Sequence, residues 1–361
     1  MIANWVIGTL GVVAAPVISG LAYRKVRQRR IARQLLIATP NQIVEERFVR
    51  IGDIDQWIQI RGEDRRNPVL LILHGGPGWP NAVFTPLLRS WEKHFIVVQW
   101  DHRGAGKTRG RNGKPGKGEM SFACRVSDAI ELTEFLRQYL CKDKLILLAE
   151  SMGTLTGVPL AKHRPDLFSA IVVTDLYVDM IRNEALKYQL TLERLCSAGE
   201  RRGMTDLEQI GSDPTRWDLH AWNVNMVWAF KTNVPTPNLD RRLLFPLVFF
   251  SPIYSLRDIF TLFVGFQNST AEMFNEFIAY DARQLGTRFE IPFFLVQGES
   301  DVITLTTLAE EYFDDVEAPV KHLELIKNAG HFAAFSQPDQ FLAELLTRVR
   351  PLAAGGKPRP V

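Results

Sequence analysis

The stretch Leu145-Ile-Leu-Leu-Ala-Glu-Ser151-Met-Gly153 constrains this chain more than any other. An apolar run of strand length stops at a serine set among small residues and passes straight into a helical segment that ends near His163. Such a junction turns sharply enough to lift the serine hydroxyl out of the sheet, and small neighbours are needed because larger ones would collide with the adjoining strand and helix. Ala149 stands where a glycine is usual in G-x-S-x-G, and one methyl fits where a branched side chain would not. A Ser-x-Gly at a strand end is also compatible with a helix N-cap.

The surrounding pattern supports a strand there. Ile43–Ile51 and Gln56–Arg61 alternate in polarity around the turn signal Gly52-Asp53, and Val69–Leu73 and Phe95–Trp100 are continuous apolar runs of the kind buried in parallel sheets. Helical spacing over Ser121–Leu140 follows, then the strand before Ser151, a helix, and a strand over Phe168–Val173. Alternating strands and helices predict an α/β fold with a mostly parallel central sheet. Around residue 176 the rhythm breaks for about a hundred residues of Trp- and Phe-rich helical sequence, then resumes at Ile291–Val296 and His322–Ile326 and closes with an amphipathic helix over Pro338–Val349. The pattern divides the chain into a core at residues 40–175 and 289–350, an inserted helical cap at 176–288, and a Gly- and Pro-rich tail at 351–361 expected to be disordered.

Three further segments carry chemistry. His74-Gly-Gly-Pro-Gly78 follows a predicted strand, and its glycines let backbone N–H groups approach a substrate oxygen. Pro77 cannot donate, so Gly75 or Gly76 would serve, with the Met152 N–H as second donor. Gln297-Gly-Glu-Ser-Asp301 and Ala329-Gly-His331 each follow a later strand. A serine hydroxyl is a poor nucleophile at neutral pH; His331 can take its proton and Asp301 can orient the imidazole, with Glu299 and Asp281 as rival acids. The third, Gln99-Trp-Asp101-His-Arg103-Gly-Ala-Gly106-Lys-Thr108, lacks the spacing of a phosphate-binding loop, so Asp101 and Arg103 are expected to brace the loop beneath the site.

Together these residues resemble the prolyl aminopeptidase (proline iminopeptidase) family of α/β-hydrolases, through HGGPG at 74–78, DxRGxGxT at 101–108, the serine turn, the GxxD acid and the late Gly-His. The similarity covers roughly residues 43–175 and 288–350. It implies an α/β-hydrolase fold with a helical cap, and a Ser151, Asp301 and His331 triad that works without metal or organic cofactor. Family members hold the substrate amine with cap carboxylates and commonly carry Trp-x-x-Trp-Glu, whereas this chain has Trp217-Asp-Leu-His-Ala-Trp222-Asn223, with Met152 in place of the usual tryptophan after the serine. Trp217, Trp222 and Gly75 are the expected substrate contacts; Asp218, Glu184, Glu193, Glu272 and Glu276 are the acids that could replace the missing glutamate. The apolar cap residues from Phe245 to Val264 could equally line an acyl pocket.

The amino-terminal segment has a different character. No charge occurs before Arg24, and the 19-residue run Trp5–Tyr23 has about the length of a membrane span, followed by six basic residues from Arg24 to Arg33. That order is the reverse of a secretory signal, and the positive-inside rule would leave everything after residue 34 in the cytoplasm. Residues 1–35 are therefore expected to form a membrane anchor with a basic flank, the alternative being a soluble cytoplasmic enzyme with a buried or surface-lying helix. Of the 43 Lys and Arg, 37 lie beyond this segment against 40 Asp and Glu, so no concentrated basic face argues for nucleic acid. Cys124, Cys141 and Cys196 are odd in number and scattered, which fits neither a disulfide framework nor a zinc site.

The chain is thus expected to be a serine hydrolase that cleaves an ester or amide of a small peptide or acyl substrate through an acyl-enzyme. The resemblance favours release of amino-terminal proline. The alternatives are a carboxylesterase or lipase-like enzyme on lipophilic esters, an acyltransferase, or a non-catalytic binding protein on the same scaffold.

Overall fold

The computed structural model describes residues 2–115, 120–232, 239 and 241–354, and their side chains except at 2–17, 241 and 354. The strands are β1 (Ile43–Ile51), β2 (Ile54–Gly62), β3 (Val69–Leu73), β4 (Ile96–Asp101), β5 (Leu145–Glu150), β6 (Phe168–Thr174), β7 (Phe293–Gly298) and β8 (Lys321–Ile326). The helices are α1 (Ile2–Gln34), α2 (Gly106–Asn112), α3 (Phe122–Leu140), α4 (Thr154–His163), α5 (Met180–Ala198), α6 (Arg201–Ile210), α7 (Leu219–Thr232), α8 (Arg241–Phe249), α9 (Leu256–Ile278), α10 (Thr306–Asp315), α11 (Ala333–Ser336) and α12 (Pro338–Glu344).

Among the described residues the strands form one sheet in the order β1-β2-β4-β3-β5-β6-β7-β8. The β1–β2 hairpin turns at Gly52 and Asp53, both with positive φ, and β2 pairs antiparallel with β4. All later pairings are parallel, and β3, β5 and β7 are buried along their whole length, which is why their sequences read as unbroken apolar runs. One core lies on each face of the sheet: α3, α4 and α10 contribute to one, and α8, α9 and α12 to the other. Between β6 and β7 the chain leaves the sheet and forms α5 to α9, the inserted helical cap.

The turn after β5 is held by close packing. A methyl group on Gly153 would run into the carbonyl oxygen of Leu73 at the end of β3, and one on Gly157 would collide with the methyl of Ala149. The alanine that replaces the usual glycine before the serine is therefore accommodated because α4 has no Cβ opposite it.

Two expectations about the amino-terminal segment are corrected. The anchor over residues 1–23 is not supported: among the described residues no helix is long and apolar enough to cross a membrane, and residues 1–17 lie outside those whose side chains are described. The basic flank, expected beside lipid or in water, is partly folded onto the cap. Arg24 is buried and donates to the carbonyls of Phe249 and Tyr254, both at 2.9 Å, while Gln28 donates to that of Ser251 at 2.7 Å and Tyr23 meets Phe250 edge-on. The arginine fork satisfies one carbonyl on the last residue of α8 and one in the loop before α9, so burial of its charge is compensated. The tail was expected to be disordered from 351, yet Arg350–Ala354 forms a short 3-10 helix with Leu352 and Ala353 on the core; residues 355–361 lie outside the described residues.

Packing at Gly157 sets a reciprocal test. Gly157→Ala should lower stability by about 1–3 kcal/mol, the usual cost of overpacking, and adding Ala149→Gly should recover most of it, as read by thermal unfolding.

Candidate active site

β5 delivers Ser151 into the turn with φ +53°, a left-handed conformation that a side chain rarely adopts and that the packing of Gly153 against β3 enforces. Ser151 Oγ lies 3.0 Å from His331 Nε2, and His331 Nδ1 lies 3.0 Å from Asp301 Oδ2. All three residues are buried. They come from loops after β5, β7 and β8, so the parallel sheet brings them together at the carboxyl ends of its strands, where crossover connections leave side chains free to converge.

The acid is held by an extensive set of donors. Asp301 Oδ1 accepts the N–H groups of Ile303 and Thr304 at 2.8 and 3.1 Å, and Oδ2 accepts from Thr304 Oγ1 at 2.5 Å and Gln297 Nε2 at 3.2 Å. Gln297 also accepts from the Leu176 N–H at 3.2 Å, which ties the acid loop to the end of β6. The rival acids are elsewhere: Glu299 is exposed and accepts the Asn328 N–H, and Asp281 caps a short 3-10 turn through the Arg283 N–H.

The HGGPG loop presses on the serine. A methyl on Gly75 would sit 2.6 Å from Ser151 Cβ, and Gly76, at φ +46°, is covered by Trp79 and by Phe266 of α9. Met152 opens the helical turn after Ser151, where an N–H group has no intrahelical acceptor. The loop's base is a stacked pair of buried imidazoles, His74 and His102, with centroids 3.7 Å apart, and Arg125 donates to the Pro77 carbonyl. Burial drives the His74 pKa down to about 3 and also lowers His102, so both rings are neutral packing elements. Asp101 accepts the Lys107 N–H and the Tyr254 hydroxyl, each at 2.8 Å, while Arg103 pairs with Asp128 and donates to the Gly52 carbonyl. These contacts fasten the β4–α2 loop to the cap and to the β1–β2 turn.

The two expected cap tryptophans part company. Trp222 packs in a cluster with Met152, Tyr177, Phe274 and Phe277 beside the serine turn, and its buried indole N–H has no acceptor. Trp217 belongs to a separate cap core with Tyr188, and its N–H donates to the Gly211 carbonyl at 2.9 Å, so it is not brought to the site. Four of the five acids suggested for amine binding are already engaged. Glu184 is fully buried against Lys187 at 2.5 Å and Asn225 at 3.1 Å, Glu272 pairs with Lys114, Glu276 accepts the Phe122 N–H, and Asp218 accepts the Ala221 N–H. Glu193 is exposed.

The known proteins that this chain resembles agree with its architecture. Residues 68–238 match the family model described as alpha/beta hydrolase fold. This chain has the α/β-hydrolase fold. The hydrolase is 24% identical over 323 residues to the probable aminopeptidase YbaC of Bacillus subtilis (strain 168), a match covering 87% of this chain and 99% of that protein. A proline iminopeptidase-related protein from Thermus thermophilus superposes with a TM-score of 0.54 at 18% identity, over 84% of this chain and 96% of its own. A membrane phospholipase A superposes with a TM-score of 0.59 at 15% identity, over 94% and 96%. At these identities the structural likeness speaks for the fold.

Sequence reasoning missed Gln297 and Thr304 as holders of the acid, and it missed two buried carboxyls near His331, Glu150 and Asp175. A signal for Glu150 was present: an ionisable residue ends a strand whose other residues are all apolar. Burial works against a proton on His331, but the charges of Asp301 and Asp175, the Asp301 hydrogen bond and the charge of Glu150 outweigh it and push the imidazole up to about 9. A proton on any of these carboxyls relaxes that push. A base must be free of its proton to act, so kcat/KM of the hydrolase should fall as pH falls through the His331 pKa. The midpoint should lie above the ordinary imidazole value of about 6.5 and no higher than about 9; a pH–rate profile checks this, and a midpoint under the ordinary value would exclude control by these carboxylates.

Proposed function

We propose that this hydrolase cleaves an ester or amide through an acyl-enzyme on Ser151. The observation that carries the reading is the continuous Ser151–His331–Asp301 hydrogen-bonded chain at the carboxyl edge of the sheet. His331 Nε2 takes the proton as Ser151 Oγ attacks the carbonyl, and Asp301 orients the ring and balances the imidazolium that forms. The Gly76 and Met152 N–H groups stabilise the oxyanion. The imidazolium returns its proton to the departing alcohol or amine, and water, activated by the same imidazole, releases the acid.

Two substrate classes fit this chemistry. The likeness to YbaC, whose name is probable aminopeptidase, supports a peptide with a free amino terminus. The cap supports the lipophilic ester: four of its five candidate acids are engaged within the protein, and the wall beside Ser151 is made of Met152, Tyr177, Trp222, Phe274 and Phe277. An incoming ammonium would have to displace Lys187 to reach Glu184, leaving a buried cation unpaired.

Ser151→Ala should abolish covalent labelling by a fluorophosphonate probe and lower kcat by about four orders of magnitude or more; persistent labelling would overturn the assignment. In a substrate panel, medium-chain nitrophenyl esters should be cleaved faster than proline nitroanilide, and acetylating the proline amine should change the anilide rate little. A strong preference for the free amine would establish the peptidase instead.

A further inference from the structure

Between the serine strand and the histidine loop lie three buried polar atoms with no hydrogen-bond partner: Glu150 Oε1, Thr174 Oγ1 and Asp175 Oδ1. The acyl-transfer chemistry uses none of them. Glu150 faces Thr174 in the parallel β5–β6 register, so Asp175 is the next residue along the neighbouring strand. Both carboxyls are almost completely buried. Each has one satisfied oxygen: Glu150 Oε2 accepts from Asn81 Nδ2, and Asp175 Oδ2 accepts the N–H of Phe332, the residue after His331, at 3.1 Å. Asp175 holds a left-handed backbone, φ +52°, and a carboxylate oxygen of Asp175, one of Asp301 and a ring nitrogen of His331 all lie within 4.8 Å of one another.

Two ionised carboxylates at neighbouring strand ends, both out of water, are strongly disfavoured. Each would keep an oxygen out of water with no donor, and each would repel the other. One proton eases both difficulties, since it discharges one of the two buried carboxyls and removes the repulsion felt by the other.

We propose that Glu150 and Asp175 hold a single proton between them in the resting hydrolase, and that this pair is a positioning device acting through His331. Asp175 fixes the loop that carries the imidazole, and the pair's one remaining charge sets how readily that imidazole takes the serine proton. The inference rests on the acyl-enzyme reading of Ser151 and His331. Burial and the neighbouring negative charge raise both acids from their ordinary values, which is the direction a retained proton requires. The titratable groups facing the pair are Asp301 and His331 from the loops after β7 and β8, and Tyr177 after β6, which in turn feels Glu184 of α5. Asn81 is a neutral donor to the pair, and Gln297 and Thr304 are neutral donors to Asp301.

Two measurements test this. Infrared spectroscopy of the full chain at neutral pH should contain the carbonyl stretch of a protonated carboxyl group that disappears in Glu150→Gln; the lack of any Glu150-dependent band overturns the shared proton. Glu150→Gln leaves the charge on Asp175 and keeps an acceptor for Asn81, so the acid limb of the kcat/KM profile should keep its midpoint and activity should exceed that of Glu150→Ala. Asp175→Asn leaves the pair's charge on Glu150, whose effect on His331 is the weaker of the two, and should move the midpoint down by up to about one pH unit, the scale of a close charge on an imidazole. An unmoved midpoint in Asp175→Asn, or an equal displacement in Glu150→Gln, sinks the proposal. Fluorophosphonate labelling separates the two levels. Labelling that depends on Ser151 while the midpoint stays still rejects the pair alone, whereas labelling indifferent to Ser151 rejects the catalytic reading beneath it.

Discussion

One tight crossing, where the turn after β5 passes over the end of β3, supports the rest of the site. Gly153 lies so close to the Leu73 carbonyl that no side chain fits, and the same compression holds Ser151 in a left-handed backbone and sets the HGGPG loop against its Cβ. The serine is thereby presented beside the two loops that supply its histidine and its candidate oxyanion donors, before any substrate arrives. The geometry is stored in packing, and it costs no reorganisation at the moment of reaction.

The second constraint is electrostatic. His331 is surrounded by Asp301, Asp175 and Glu150, all out of water, and only Asp301 has a full set of donors. A buried base among several acids would be too readily protonated to accept a proton from serine, unless some of those acids are neutral. In the proposed mechanism, the proton count of the cluster matters as much as the Ser151–His331–Asp301 distances for whether the imidazole can work. The cap applies a similar rule at larger scale: four of its five candidate acids are engaged by lysines, an amide or backbone donors, and the cluster beside the serine turn is apolar.

Much of this was legible residue by residue. The runs before Leu73, Trp100, Leu148, Val173, Val296 and Ile326 became strands because buried parallel strands must be apolar on both faces. Ser151, Asp301 and His331 could be singled out because each follows such a run in a short, glycine-containing segment. Trp217 and Trp222 could not be separated by sequence, since both read as cap aromatics five residues apart; Trp222 on α7 packs with Met152, while Trp217, ahead of that helix, stays in the cap core. The fate of Arg24 was equally hidden. A basic residue after an apolar run looks the same beside lipid, in water, or folded onto the carbonyls at the end of α8 and before α9.

By itself, then, the sequence determined the order of chemistry along the chain, the class of fold, and the serine, the histidine and the short set of acids that could act together, because hydrophobic periodicity and small-residue turns are local properties. Tertiary structure alone decided which carboxyls are free, which are paired and which share the surroundings of His331. Glu184 meets Asn225 of α7, and Asp175 meets the loop after β8, only once cap helices and distant strands are packed. Protonation and partner choice depend on burial and on charges far apart in sequence, and neither is written in any local pattern.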